Sequence, residues 1–184
     1  KSGNNESFNN AMTALDYSTT QSTIFHPITD NRHTTTNTLT KKTSFTVTKQ
    51  WSDQDNKYDT RYLENDHWVV KYHVYRSYVK NNQTIQELMK VSNGQDPYIL
   101  RVEGSDSTSQ TASTTVENLP SKTLDGKDYT YFAVELDPNN QEINNNIYYG
   151  TYDVSGNSST FTNTLKTVDL KVTENYLQVK GNGT

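Results

Sequence analysis

The sequence has no cysteine among its 184 residues, so it can form neither a disulfide nor a thiolate metal site. A stable domain of this sequence must be held together in some other way. It has no basic excess either: 17 Lys and Arg stand against 21 Asp and Glu, which argues against nucleic acid as a partner. No apolar run approaches the roughly 20 residues of a membrane-spanning helix, so membrane insertion is not expected.

Hydrophobic residues are also few, at 30% of the chain, but aromatic residues reach 11% and include 13 tyrosines. That supply is enough to build a thin core between two sheets. Thr, Tyr and Val fill the stretches with alternating polarity, and Asn, Ser, Asp and Gly fill the segments between them. The composition therefore favours β structure and gives little support to helices.

Period-two alternation of polar and apolar residues marks a series of short strands. Short strands separated by turn residues are typical of a β-sandwich, and we expect an all-β, immunoglobulin-like sandwich of about seven strands. The segments with this pattern are Ser44–Trp51, Trp68–Val79, Thr84–Val91, Tyr98–Val102, Thr114–Leu119, Tyr129–Leu136, Ile147–Val154 and Ser159–Leu165.

One stretch of sequence recurs. Residues 36–51 read TNTLTKKTSFTVTKQW, and residues 162–176 read TNTLKTVDLKVTENY. A junction between repeated units would produce this recurrence, although two Thr-rich strands could also match by coincidence. The repeat interpretation predicts one complete sandwich over residues 42–166. Residues 1–41 would then end a preceding unit or linker, and residues 167–184 would begin a following repeat.

Lys49 breaks the pattern of its strand, because it shares a face with Phe45, Val47 and Trp51. If that face is buried, the ammonium enters the core, which is costly unless it is neutralised or paired. Two other polar residues lie on apolar faces in the same way. Asn163 alternates with Phe161 and Leu165, and Glu135 alternates with Tyr129, Tyr131 and Ala133. The three polar side chains are therefore expected to converge in one core.

Four motifs occur in a characteristic order: VTKQWSDQDNKYDTR at 47–61, VYR at 74–76, ENLPSKTLDGKDYTYFAVEL at 117–136 and FTNT at 161–164. This ordered set resembles the Cna-B-type domains of Gram-positive pilins and surface adhesins, which have a prealbumin-like sandwich fold. The resemblance implies an intramolecular isopeptide bond between Lys49 and Asn163, promoted by Glu135. Burial favours the neutral amine that such a reaction needs. A Lys49–Glu135 ion pair with Asn163 hydrogen-bonded alongside is the alternative.

The resemblance also implies a place and a role: a stalk or spacer repeat of a cell-wall-anchored bacterial surface protein, in contact with neighbouring repeats. The alternative is an adhesin domain that binds a host matrix protein or mucin glycans, with Tyr148, Tyr149 and Tyr152 as the candidate surface. A hydrolase is the third class. No nucleophile–base pair or phosphate-binding loop points to turnover, so neither an enzyme nor a cofactor is predicted.

The remaining signals are weak. Asp53, Asp55, Asn56 and Asp59 have spacings that suggest a calcium loop, but the Gly and terminal Glu of an EF-hand are missing, and a solvated turn is the preferred interpretation. The histidines, which are His26, His33, His67 and His73, show no paired metal spacing, so no metal site is predicted.

At the two junctions, Asn37 aligns with Asn163 and Glu174 aligns with Lys49. Asn37 could be the acceptor of a preceding unit whose lysine lies outside this chain, but an ordinary strand residue is the preferred interpretation. A following unit would lack the cross-linking lysine in this register, unless its strand is shifted.

Overall fold

The structure, a computed structural model, describes residues 17–26, 30–91, 94–143 and 148–173. These residues form strands and irregular segments, with no helix among them. The strands are β1 (Tyr17–His26), β2 (Asp30–Leu39), β3 (Lys42–Ser52), β4 (Leu63–Glu64), β5 (His67–Lys80), β6 (Gln83–Leu88), β7 (Ile99–Glu103), β8 (Thr111–Pro120), β9 (Thr130–Leu136), β10 (Tyr148–Ser155) and β11 (Ser158–Leu165).

Strands β3 to β11 build a sandwich of two sheets. One sheet has the order β10-β11-β3-β8. In the other, β5 is the central strand and pairs with β4, β6, β7 and β9. The predicted all-β, immunoglobulin-like sandwich is therefore confirmed, but the described residues give it nine strands instead of about seven. All eight predicted segments coincide with strands, and the two-residue β4 is the addition, since so short a strand leaves no alternation to recognise.

The core lies between the sheets and follows the alternation of the strands. In β3 the inward residues Phe45, Val47, Lys49 and Trp51 are all buried. The outward face carries Thr46, whose hydroxyl lies 2.9 Å from that of Thr115 on the neighbouring strand β8. Cross-strand pairs of this kind stabilise a sheet face that meets solvent. The remaining core residues are Trp68, Val70, Tyr72, Val74, Leu100, Val102, Leu119, Tyr131, Ala133 and Phe161.

The first and last strands of the sandwich are neighbours. Strand β11 pairs with β3 in parallel, with Ser158 opposite Thr46 and Thr164 opposite Ser52. All other strand pairs in the described residues are antiparallel. A parallel pair cannot be closed by a tight hairpin, so everything between the two strands forms one long connection.

The flanking segments lie outside this sandwich. Strands β1 and β2 pair with each other in a separate two-stranded sheet, where the backbone of Asn37 lies opposite Thr19. Residues 166–173 have no regular structure, and Val168, Leu170 and Val172 are exposed. Glu174 and the side chain of Asn37 lie outside the described residues, and the division into repeat units stays a prediction. No described segment is a helix long and apolar enough to cross a bilayer.

Gly104 gives a test of this packing. A Cβ at this position would overlap the indole of Trp68 and Oγ of Ser109, so Gly104→Ala is expected to lower the free energy of unfolding by about 1 to 3 kcal/mol, as overpacking typically does. Urea denaturation measures the loss. Gly150→Ala is the matched control, because its Cβ would make only an ordinary contact, 3.6 Å from Asn163 Oδ1. Equal stability of the two variants would contradict the packing described for Gly104.

Candidate functional site

Two of the three predicted site residues come from the parallel pair of strands. Phe161 is the register partner of Lys49, and Asn163 is the partner of Trp51. Side chains two residues apart in a strand point to the same face, so Lys49 and Asn163 are diagonal neighbours on the core side of one sheet. Both are buried, with 0% and 5% of their surface exposed.

Glu135 reaches the same point from β9 in the opposite sheet. Its carboxylate accepts hydrogen bonds from Lys49 Nζ at 2.9 Å on Oε1 and 2.7 Å on Oε2. Asn163 Nδ2 donates to Oε1 at 3.1 Å. The amine and the amide are therefore bound to one carboxylate, which is itself 12% exposed at the side chain. The predicted convergence of three polar side chains in the core is what the structure has.

Burial lowers the pKa of Lys49 from its usual 10.5 to about 8, against the opposing effects of the Glu135 charge and its hydrogen bonds. Desolvation penalises the charged form more than one carboxylate can offset. The ammonium also lies 4.6 Å from the ring centroid of Trp51, a cation–π contact. Lys49 is thus far closer to a neutral amine at physiological pH than a surface lysine.

Aromatic rings surround the three polar groups. Tyr72 is the register partner of Glu135 on strand β5, and its ring centroid lies 4.8 Å from that of Phe161. Desolvation, with the nearby Glu135 charge as a smaller effect, raises the pKa of the Tyr72 phenol well above its usual value. The phenol therefore stays neutral and adds no charge beside the carboxylate.

The polar loop that follows β3 is only in part the solvated turn expected from its sequence, since Asp55 and Asp59 are exposed but two other polar residues are not. Asp53 and Asn56 are buried, and Asp53 forms a salt bridge with Arg61 at 2.5 Å. Asn56 Oδ1 accepts hydrogen bonds from the backbone amides of Thr60 and Arg61. These contacts commit the side-chain oxygens of Asp53 and Asn56 to the loop itself, and the described residues contain no cluster of three His, Asp or Glu suited to a metal.

Sequence reasoning missed the Asp53–Arg61 pair because two charged residues in a polar loop carry no periodicity that would signal burial. Two of the four histidines lie beside single glutamates: His67 lies 3.4 Å from Glu103, and His73 lies 3.5 Å from Glu142. The side chains of His26, His33, Tyr148, Tyr149 and Tyr152 lie outside the described residues.

No protein-family model matches the chain, and no curated protein matches it. Similar solved structures include two B repeat units of the collagen-binding protein Cna of Staphylococcus aureus, with 20% identity over 83% of this chain and a TM-score of 0.40. This chain covers 31% of that two-repeat structure. A single B repeat unit of the same protein gives 17% identity, 78% and 70% coverage of the two chains, and a TM-score of 0.39. At these values the likeness establishes neither a shared family nor a shared function.

Glu135→Ala tests the energetics of the site. In an Asn163→Ala background, where no amide remains to react, it removes the carboxylate hydrogen-bonded to Lys49 and is expected to cost about 3 to 5 kcal/mol of unfolding free energy. Urea denaturation near neutral pH provides the measurement.

The matched control for that experiment is Glu87→Ala, which breaks the Arg76–Glu87 pair. Both of its side chains are 36% exposed, and surface pairs contribute at most about 1 kcal/mol. A loss in Glu135→Ala no larger than the loss in the control would contradict the buried pair.

Proposed function

We propose that residues 42–166 form a structural stalk or spacer module of a cell-wall-anchored surface protein of a Gram-positive bacterium, locked by an autocatalytic isopeptide bond between Lys49 and Asn163. The observation that carries the proposal is the shared carboxylate: Lys49 Nζ and Asn163 Nδ2 both donate to Oε1 of Glu135 inside an apolar core. The module is not an enzyme, since the reaction happens once within each chain. The motifs that resemble Cna-B-type domains supply the cellular setting.

The chemistry follows from moving one proton across the 2.7 Å contact from Lys49 Nζ to Glu135 Oε2. The neutral amine attacks Cγ of Asn163, and the protonated acid donates to the amide as charge develops there. A Cγ–Nζ bond forms, the Cγ–Nδ2 bond breaks, and ammonia leaves. Glu135 gives this proton to the departing nitrogen and receives a second one from Nζ. It therefore ends the reaction protonated, until the extra proton passes to ammonia or to solvent.

Strand order explains what the bond would contribute. Lys49 and Asn163 lie on β3 and β11, which are adjacent in the sheet and enclose the rest of the sandwich between them. Tension entering at the start of β3 would pass through the bond into β11 and leave the segment between the two residues unloaded. By analogy with a disulfide that closes a loop of about 100 residues, the cross-link would add roughly 4 to 5 kcal/mol by restricting the unfolded chain.

The adhesin alternative, in which the same domain binds a matrix protein or mucin glycan, stays a prediction. It depends on Tyr148, Tyr149 and Tyr152, whose side chains lie outside the described residues. Saturable binding to immobilised matrix proteins or mucins, lost when these tyrosines are replaced by alanine, would favour it over the spacer.

Intact-mass spectrometry tests the bond. The folded wild-type protein is expected to be lighter than its sequence by one ammonia, and tryptic digestion should yield one branched peptide that joins the segments carrying Lys49 and Asn163. Lys49→Ala should have its full mass, whereas Lys71→Ala, which removes a lysine of β5 paired with Glu64, should keep the deficit. Full mass in wild type, or the same deficit in Lys49→Ala, would overturn the proposal.

The pH dependence of bond formation tests the proton shuttle. The ion pair and the reactive neutral pair hold the same total number of protons, and that shared proton is lost as the pH rises through about 8. Without it Glu135 is a carboxylate and cannot donate to the amide as charge develops there. The rate of bond formation, measured by intact mass in freshly synthesised chains, should therefore be constant near neutral pH and should fall above about pH 8. A rate that increases through this range would mean that Glu135 acts only as a base.

A further inference from the structure

A second buried ion pair lies beside the candidate site, in the loop between β3 and β4. Arg61 donates from Nε to Asp53 Oδ2 at 2.7 Å and from Nη2 to Asp53 Oδ1 at 2.5 Å. Both side chains are fully buried. This two-pronged geometry fixes the plane of the guanidinium, which a single hydrogen bond would not do.

The same guanidinium holds a second loop. Its Nη1 donates to the backbone carbonyls of Ser107 at 3.1 Å and Ser109 at 2.8 Å. Ser109 O also accepts from Trp68 Nε1 at 2.6 Å. Asp106 shapes this loop by accepting from the amides of Thr108 and Ser109, each at 2.7 Å. We call Asp53, Arg61 and residues 104–110 together the cap.

Trp51 connects the cap to the reactive lysine. The Arg61 guanidinium carbon lies 5.0 Å from the Trp51 ring centroid, and Lys49 Nζ lies 4.6 Å from a centroid of the same side chain. Trp51 also meets Trp68 edge to face, with centroids 5.8 Å apart. Arg61 and Ser109 therefore hold both indoles, and one of those indoles forms a wall of the lysine site.

Stability alone is a weak reason for such a pair, because the desolvation of two buried charges offsets much of their attraction. The contacts of the pair point to a different role. We propose that the cap is a positioning device for cross-linking: it holds Trp51 against the Lys49 amine and keeps water out of the site. This inference rests on the proposed function, since it concerns how fast the Lys49–Asn163 bond forms.

Opening the cap would change the electrostatic environment of Lys49. Glu135 from β9 is the charged group in contact with Lys49, and Tyr72 from β5 lies near that carboxylate. Arg61 of the cap is related to Lys49 only through the Trp51 ring that both cations approach. Burial is the largest cause of the lowered pKa of Lys49. An open cap admits water, raises that pKa toward its usual value and favours the ion pair over the neutral pair. Each unit by which the pKa of Lys49 rises reduces the population of the reactive neutral pair roughly tenfold.

The test uses the double variant Asp53→Ala/Arg61→Ala, which opens the cap without leaving a lone buried charge. Loss of ammonia is followed by intact mass in pulse-labelled chains released from cell-free synthesis into buffers from neutral to alkaline pH. Near neutral pH the variant should form the bond about tenfold more slowly for each unit by which the pKa of Lys49 rises. The pH at which its rate begins to fall should be higher than in wild type.

Leu119→Ala is the stability control, because Leu119 is buried at the far end of the core, opposite Thr43. It should keep the wild-type pH profile even though it destabilises the fold. A wild-type rate and profile in the double variant, or the same alkaline shift in Leu119→Ala, would overturn the role of the cap and leave the proposed function intact. Wild type that never loses ammonia would overturn both.

Arg61→Lys provides the second variant if the double variant does not fold. It retains a positive charge beside Asp53 but loses the planar fork that reaches Ser107 and Ser109. A smaller shift in the same direction is expected, and an unchanged rate and profile would overturn the role of the cap.

Discussion

The contact between Lys49 and Glu135 is the interaction on which the arrangement of the core depends. A lysine with 0% exposure must be paired or neutral, and the nearest carboxylate comes from the opposite sheet. The two sheets therefore have a polar link at the centre of an otherwise apolar and aromatic interface. Asn163 completes it by donating to the same oxygen atom, so the carboxylate serves both strands of the parallel pair.

The three polar residues of the site could be predicted from the sequence, because period-two alternation assigns residues to the faces of a strand without any knowledge of the tertiary fold. Lys49, Glu135 and Asn163 each interrupt an apolar face, and a polar residue in that position needs a partner. Alternation could not tell which sheet each strand joins. That Lys49 and Asn163 lie in one sheet and Glu135 in the other depends on strand order, which is set by connections between distant parts of the chain.

The buried residues of the loop from Asp53 to Arg61 could not be predicted in this way. Its residues are the ones expected in a solvated turn, and several adopt left-handed backbone conformations, including Asp55 at φ 57° and Asn56 at φ 58°. The burial of Asp53 and Arg61 comes from the tertiary structure, because Ser107 and Ser109 of a distant loop offer carbonyl oxygens to Arg61. The local sequence of neither loop indicates that the two loops are in contact. The sequence predicted the strand residues of the site and missed the loop residues that surround it.

The parallel pairing of β3 with β11 also has a consequence for the order of events during synthesis. Strand β3 is made at the beginning of the sandwich and β11 at its end, so Lys49 waits for the whole intervening sequence before its neighbouring strand exists. Contacts so distant in sequence make folding slow. On the ribosome the core can close only after the final strand has emerged. A bond at this point would form late and only in chains that had completed the sandwich, so its presence in a purified molecule would record that the molecule had once folded in full.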